Sequence, residues 1–173
     1  MARKEGGTDG SGVEGFIQDV SRLAGQFPPT PWGSRWFVLV MGERYAAIRL
    51  QDAWNPVRFL AQMAGAPPVR FGTHGFRWTL VDDANPARHY TAFVFVGFWA
   101  PRWMAVLVLW LWELAGFFRY GRGWGLADMR MGYVGLHHGQ LIRRYGHRIL
   151  PGLIAFALTE RGLWSRPPWR WDV

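Results

Sequence analysis

The chain has 173 residues, enough for one domain with a sizeable core, and its formal net charge is +8. Twelve tryptophans and twelve phenylalanines supply side chains that bury large areas and dominate packing. There is no cysteine, which excludes disulfides, thiolate metal centres and cysteine nucleophiles. Every basic side chain except Lys4 is an arginine. A basic surface suits anionic partners such as acidic protein, nucleic acid or lipid head groups. A GC-rich genome gives the same Arg, Gly, Ala, Pro and Trp bias, so arginine preference alone is weak evidence for nucleic acid.

The opening MARKEGGTDGSG is polar and glycine-rich, and no apolar run follows its charges. It reads as a disordered lead-in, not a secretory signal, and the expected location is cytoplasmic or membrane-associated. Val13, Phe16, Ile17, Val20, Leu23, Ala24 and Phe27 recur at helical spacing and predict an amphipathic helix over 12–27. Pro28, Pro29 and Pro31 end it and read as a stiff connector. Residues 1–30 thus form a flexible N-terminus carrying one helix, and 31–173 a single mainly helical domain.

Residues 36–40 form a compact β-rich run. Gly42-Glu43 is a turn signal and 45–50 a return strand, so a hairpin is expected here, with a helix as the competing reading. Asn55-Pro56 pairs an N-cap residue with proline at the first helical position and predicts a helix over 56–64. Residues 69–81 read as a loop with short strand pieces, closed by Asp82-Asp83. Asn85-Pro86 repeats the helix-start device, with the helix running to about Trp99. Pro101 opens a second helix that ends near Phe118. Glycines 121, 123 and 125 form a turn, 126–145 the next helix, and 150–161 the last. The tail SRPPWRWDV is expected to be extended.

The fold class is therefore mainly α: a compact helical domain around a central apolar hairpin, 86–118, with minor β structure in its first half. That hairpin is long enough to cross a bilayer, but it contains Arg88, His89, Arg102, Glu113 and Pro101. About eight strongly apolar residues give roughly −3 kcal/mol for insertion, and one central carboxylate or arginine costs about +2.5 to +3.5 kcal/mol. Arginines flank the run on both sides without bias. The balance favours two core helices, with a membrane-associated or interfacial hairpin as the alternative.

Buried charges need partners. Glu113 shares a helix face with Val106, Trp110 and Phe117, so its carboxylate is expected to point inward or be paired, unless that face meets lipid. Gly132, Gly135 and Gly139 lie on one side of the 126–145 helix, close to Asp128. Interior helix glycines are costly, so another backbone is expected against that side. Arg88 and His89 occupy the first turn of their helix, where the dipole opposes a cation, so carboxylates are expected nearby. A cluster of Arg88, His89, Glu113 and Asp128 would suit acid–base chemistry. Glu113 would be the acid or base, His89 its proton partner, Arg88 an anion clamp and Asp128 the orienter. The competing reading is an ion-pair network that only fixes helix packing.

The pattern Asn85-x-x-Arg88-His89-Tyr90, then Glu113, then Asp128-Met-Arg-Met-Gly132 resembles one in uncharacterised bacterial helical domains, some found in effector and toxin proteins. The resemblance covers 85–139 and implies that these four polar residues belong together. It implies no particular activity.

No HExxH or ExxH spacing supports a metal site built from His89, Glu113, Asp128 and His138, and adjacent His137 and His138 diverge by about 100° on a helix. Neither a cofactor nor a metal is expected. The glycine-rich 121–125 segment is not a phosphate-binding loop. Arg–Trp neighbours at 35–36, 77–78 and 102–103, with Trp169-Arg170-Trp171, suit intramolecular cation–π packing better than nucleic-acid binding. Three functions stay open: an effector domain with hydrolase-like chemistry, a membrane-associated protein using the hairpin, and a basic, Trp/Arg-rich binding module without catalysis.

Overall fold

The computed structural model describes residues 12–49, 69–81, 84–116 and 125–160, and the backbone of 117–120. The predicted helix at 56–64, the Asp82-Asp83 pair, most of the 121–125 turn, the lead-in and the tail lie outside the described residues.

The described chain is helical, with six α-helices: α1 (Gly12–Gly25), α2 (Pro31–Ala46), α3 (Pro86–Trp99), α4 (Arg102–Tyr120), α5 (Leu126–Tyr145) and α6 (Leu150–Leu158). Two 3₁₀ turns, Trp78–Leu80 and His147–Ile149, complete the order. Where a hairpin over 36–50 is expected, with a helix as the competing reading, α2 runs without a break to Ala46. Thr30 caps α2, its Oγ1 accepting from Gly33 N at 3.0 Å, and Pro31 sits in the first turn. The Thr30-Pro31 pair is the same helix-start device as Asn85-Pro86, although the proline run suggests a connector. Ser34, Phe37, Val38, Met41 and Tyr45 are all buried. That three-and-four spacing makes a helix bury one stripe, and it overrides the β propensity of the Trp36–Val40 run.

The β content among the described residues is one isolated antiparallel bridge, Phe76 to Thr159. It belongs to a loop that ties two helices together. Gly12 and Val13 donate N–H groups at the start of α1 to the carbonyls of Phe71 (2.8 Å) and His74 (2.9 Å). Arg77 N donates to Leu158 O at 2.7 Å at the end of α6. Exposed helix-end groups thus find partners in the irregular segment. Gly12 and Gly75, at φ of +59° and +72°, let the chain turn sharply there.

The main core joins α1, α2, α3, α5 and α6 around Phe16, Phe37, Tyr45, Tyr90, Val94, Ile142 and Ile154. The most extensive helix pair is α3 against α5. A Cβ on Gly139 would stand 2.6 Å from Phe98 N and 2.8 Å from Gly97 C, and one on Gly135 would stand 2.7 Å from Tyr90 O. The backbones of α3 and α5 therefore touch, as the glycine face of α5 predicts. Only half of the expected hairpin is central. The outer helix α4 packs through Ala105 and Leu109 against Phe93, Met129 and Leu136, and leaves Trp103, Leu107, Trp110 and Leu111 exposed.

On the opposite side, Asp19 of α1 receives Arg44 Nη2 at 2.9 Å and the Tyr45 hydroxyl at 2.9 Å from α2. Burial, then the Asp19 charge, pushes the Tyr45 hydroxyl above its usual range, so it stays a neutral donor.

Candidate functional site

Three helices bring ionisable side chains to one place. His89 lies in the first turn of α3, Glu113 well inside α4 and Asp128 in the first turn of α5. Each offers one potential ligand atom, and the three atoms lie within 4.8 Å of one another. His89 Nε2 is 3.9 Å from Glu113 Oε1, and both side chains are only 10% exposed. The same Nε2 donates to the main-chain carbonyl of Asp128 at 2.9 Å. A carbonyl only accepts, so that bond places the ring proton on Nε2.

The residues one turn away explain the convergence. Phe93 follows His89 by four residues, Leu109 precedes Glu113 by four and Gly132 follows Asp128 by four. A Cβ on Gly132 would press on Leu109 and stand 3.3 Å from Phe93 Cδ2, so the missing side chain seats both. On each helix, side chains four residues apart share a face. A dry layer of Phe93, Leu109 and Gly132 therefore sits directly beside a polar layer of His89, Glu113 and Asp128. The His89 ring also packs on Phe93, with centroids 4.9 Å apart. Trp110 Nε1 donates to the Tyr133 hydroxyl at 3.0 Å and fixes α4 to α5 nearby.

The electrostatics follow from these positions. Asp128, in the first turn of α5, is favoured by the helix dipole. Two ionised carboxylates within 4.8 Å of each other repel by on the order of 3 kcal/mol at an effective dielectric near 20. Such a pair takes up a proton or a cation. Arg88 lies half-buried beside His89, but successive residues leave a helix about 100° apart. The His89, Glu113 and Asp128 ligand atoms lie close together, and Arg88 stands in the same turn of α3 as His89. Asn85 occupies the cap position without a side-chain bond to the helix N–H groups. The face of α4 that carries Glu113 is only partly inward, since Trp110 is exposed.

His138 does not join the site. It is buried and shares a 2.7 Å hydrogen bond with the Tyr90 hydroxyl. Burial, and to a lesser degree the His137 charge, pushes the His138 imidazole down to about 3. Burial likewise holds the Tyr90 hydroxyl well above its usual range. Both are neutral core groups that satisfy each other.

A second histidine network escapes sequence reasoning. His147 Nδ1 meets Ser34 Oγ at 3.1 Å, and His147 Nε2 donates to Ala24 O at 3.1 Å. Ser34 Oγ also takes a bond from His147 N at 3.2 Å. Both residues are buried, and the third partner is a carbonyl, not a carboxylate. This Ser–His pair is closed to substrate and pins the end of α1 to the start of α2. Nothing in local sequence links residues so far apart.

No family model matches the chain, and neither a curated protein nor a solved structure was found similar to it.

The buried histidines predict acid sensitivity. His137, His138 and His147 all have lowered proton affinity in the folded state, with burial the leading cause. Below about pH 6.5 the unfolded chain binds protons that the folded chain refuses. Their contribution is complete above that pH and declines as pH falls, by about 1.4 kcal/mol per pH unit for each proton. Urea unfolding at pH 7, 6 and 5 should give falling stability. His138→Gln, which keeps a partner for Tyr90, should fall less steeply. A flat or rising profile on acidification contradicts this assignment.

Proposed function

We propose that the chain is an effector-like bacterial domain with a hydrolytic acid–base centre formed by His89, Glu113 and Asp128. The observation that carries this reading is the meeting of an imidazole and two carboxylates, from three different helices, in a largely buried position. Helices hold such groups more rigidly than loops do. Glu113 acts as the acid or base. His89 is the proton partner, held by the Asp128 carbonyl. The Asp128 carboxylate orients, and Arg88 supplies positive charge for an anionic substrate group. The resemblance of 85–139 to bacterial effector-like domains supports only that these polar residues belong together.

Glu113→Gln and His89→Ala should each lower activity at least about a hundredfold, the scale of lost acid–base catalysis. The assays are growth inhibition on expression in a bacterial host and turnover of chromogenic ester, phosphate and peptide substrates. Far-UV circular dichroism must match the wild type. Variants that fold normally and retain full activity would refute the assignment.

A second reading has its own support. Trp103, Leu107, Trp110, Leu111 and Leu114 recur along one side of α4, and all are exposed. No helix among the described residues is long and apolar enough to cross a membrane. An apolar, tryptophan-bearing helix face on a chain of net charge +8 suits an anionic membrane surface, with α4 lying in the interface plane. Flotation with phosphatidylserine vesicles should carry the wild type upward. Trp103→Glu combined with Leu107→Glu should abolish this. Flotation unaffected by that double change would contradict a role for α4.

A further inference from the structure

We infer that His89, Glu113 and Asp128 bind a first-row divalent transition-metal ion, with Zn²⁺ and Mn²⁺ as the ions their donors suit. The inference rests on the same side chains as the proposed hydrolytic centre, but it concerns what they hold.

The first argument is distance. With metal–ligand bonds of about 2.0–2.2 Å, two ligands on one tetrahedral ion stand about 3.3–3.6 Å apart. The three donor atoms already lie within 4.8 Å of one another, and His89 Nε2 and Glu113 Oε1 within 3.9 Å. Closing the widest pair takes roughly 1.2–1.5 Å shared between two side chains, within reach of χ rotations.

The second argument is donor chemistry. One neutral imidazole and two carboxylates bring two negative charges to a doubly charged ion. A cation between the carboxylates turns their repulsion into attraction. The imidazole favours zinc, manganese or iron over magnesium, which takes an all-oxygen, largely hydrated shell. With no cysteine in the chain, soft thiolate sites are ruled out.

The third argument is rigidity and access. The donors come from α3, α4 and α5, braced by the Phe93–Leu109–Gly132 layer. Three protein ligands leave at least one position of a tetrahedral ion open for water or substrate, the arrangement of catalytic rather than structural sites. Nε2 is the nitrogen that faces Glu113, so the ion takes the place of the proton now directed at the Asp128 carbonyl. No short metal-ligand motif marks the site, because the ligands lie on three separate helices.

The test uses the untagged full-length chain, stripped with EDTA and freed of chelator. Titration calorimetry with ZnCl₂ and MnCl₂, checked by elemental analysis, should give one ion per chain. His89→Ala, Glu113→Gln and Asp128→Asn should each weaken binding at least about tenfold, the lower bound for disturbing a metal shell. His74→Ala removes a remote exposed imidazole and should change nothing. If a site variant fails to fold, X-ray absorption of the Zn²⁺-loaded wild type decides: one imidazole with oxygen ligands supports the site, and two or more imidazoles overturn it. Absence of one-to-one binding, or binding that survives His89→Ala and Asp128→Asn, also overturns it. An ion bound in a chain without hydrolytic activity leaves the metal site standing and removes the hydrolase. Hydrolysis in a chain that binds no ion does the reverse.

Discussion

The contact between the backbones of α3 and α5 governs everything around it. Glycine at 97, 135 and 139 lets the two helices meet without intervening side chains. Each interior glycine costs about 1 kcal/mol of helix propensity, which the close packing offsets through dispersion and burial. The first turn of α3 is thereby brought against the first turn of α5. His89 then reaches the Asp128 carbonyl, and Tyr90, one residue on, reaches His138 in the core. One helix pair thus produces both a dry hydrogen bond and a partly open polar group.

The third member arrives by a weaker route. The outer helix α4 is anchored where Leu109 enters the space over Gly132 and where Trp110 bonds Tyr133. Glu113 follows one turn later and is carried over the end of the α3–α5 pair. The apolar layer holds the geometry and the polar layer carries the chemistry. Apart from the Trp110–Tyr133 bond, the exposed side of α4 is turned away from this arrangement, with Trp103, Leu107 and Leu111 at the surface.

Much of this was legible in the sequence because helices announce themselves through spacing and punctuation. Asn85-Pro86, Pro101 and the glycines near 121–125 mark the limits of α3, α4 and α5 to within a residue or two. The glycine face of α5 correctly called for a neighbouring backbone. The α2 region misled because Trp36–Val40 is β-prone in isolation. Its helical stripe shows only when Ser34, Met41 and Tyr45 are read with it and Thr30 is seen as a cap. The meeting of His89, Glu113 and Asp128 was inferable from the need of buried charges for partners. That His138 is withdrawn into the core and that Ser34 meets His147 depend on tertiary placement, which no local pattern encodes. The central place given to the whole 86–118 hairpin was half right, since apolarity alone does not say which helix is enclosed and which is left at the edge.

The most direct test of the α3–α5 contact is the unfolding free energy of Gly139→Ala beside Gly116→Ala, by urea denaturation at neutral pH. A Cβ at 139 would press into the α3 backbone, whereas one at 116 meets nothing within 4 Å. Gly139→Ala should lose about 1–3 kcal/mol through overpacking despite its better helix propensity. Gly116→Ala should gain up to about 1 kcal/mol. A Gly139→Ala chain as stable as the wild type, or more so, would show that the two backbones do not touch and that the site has no such foundation.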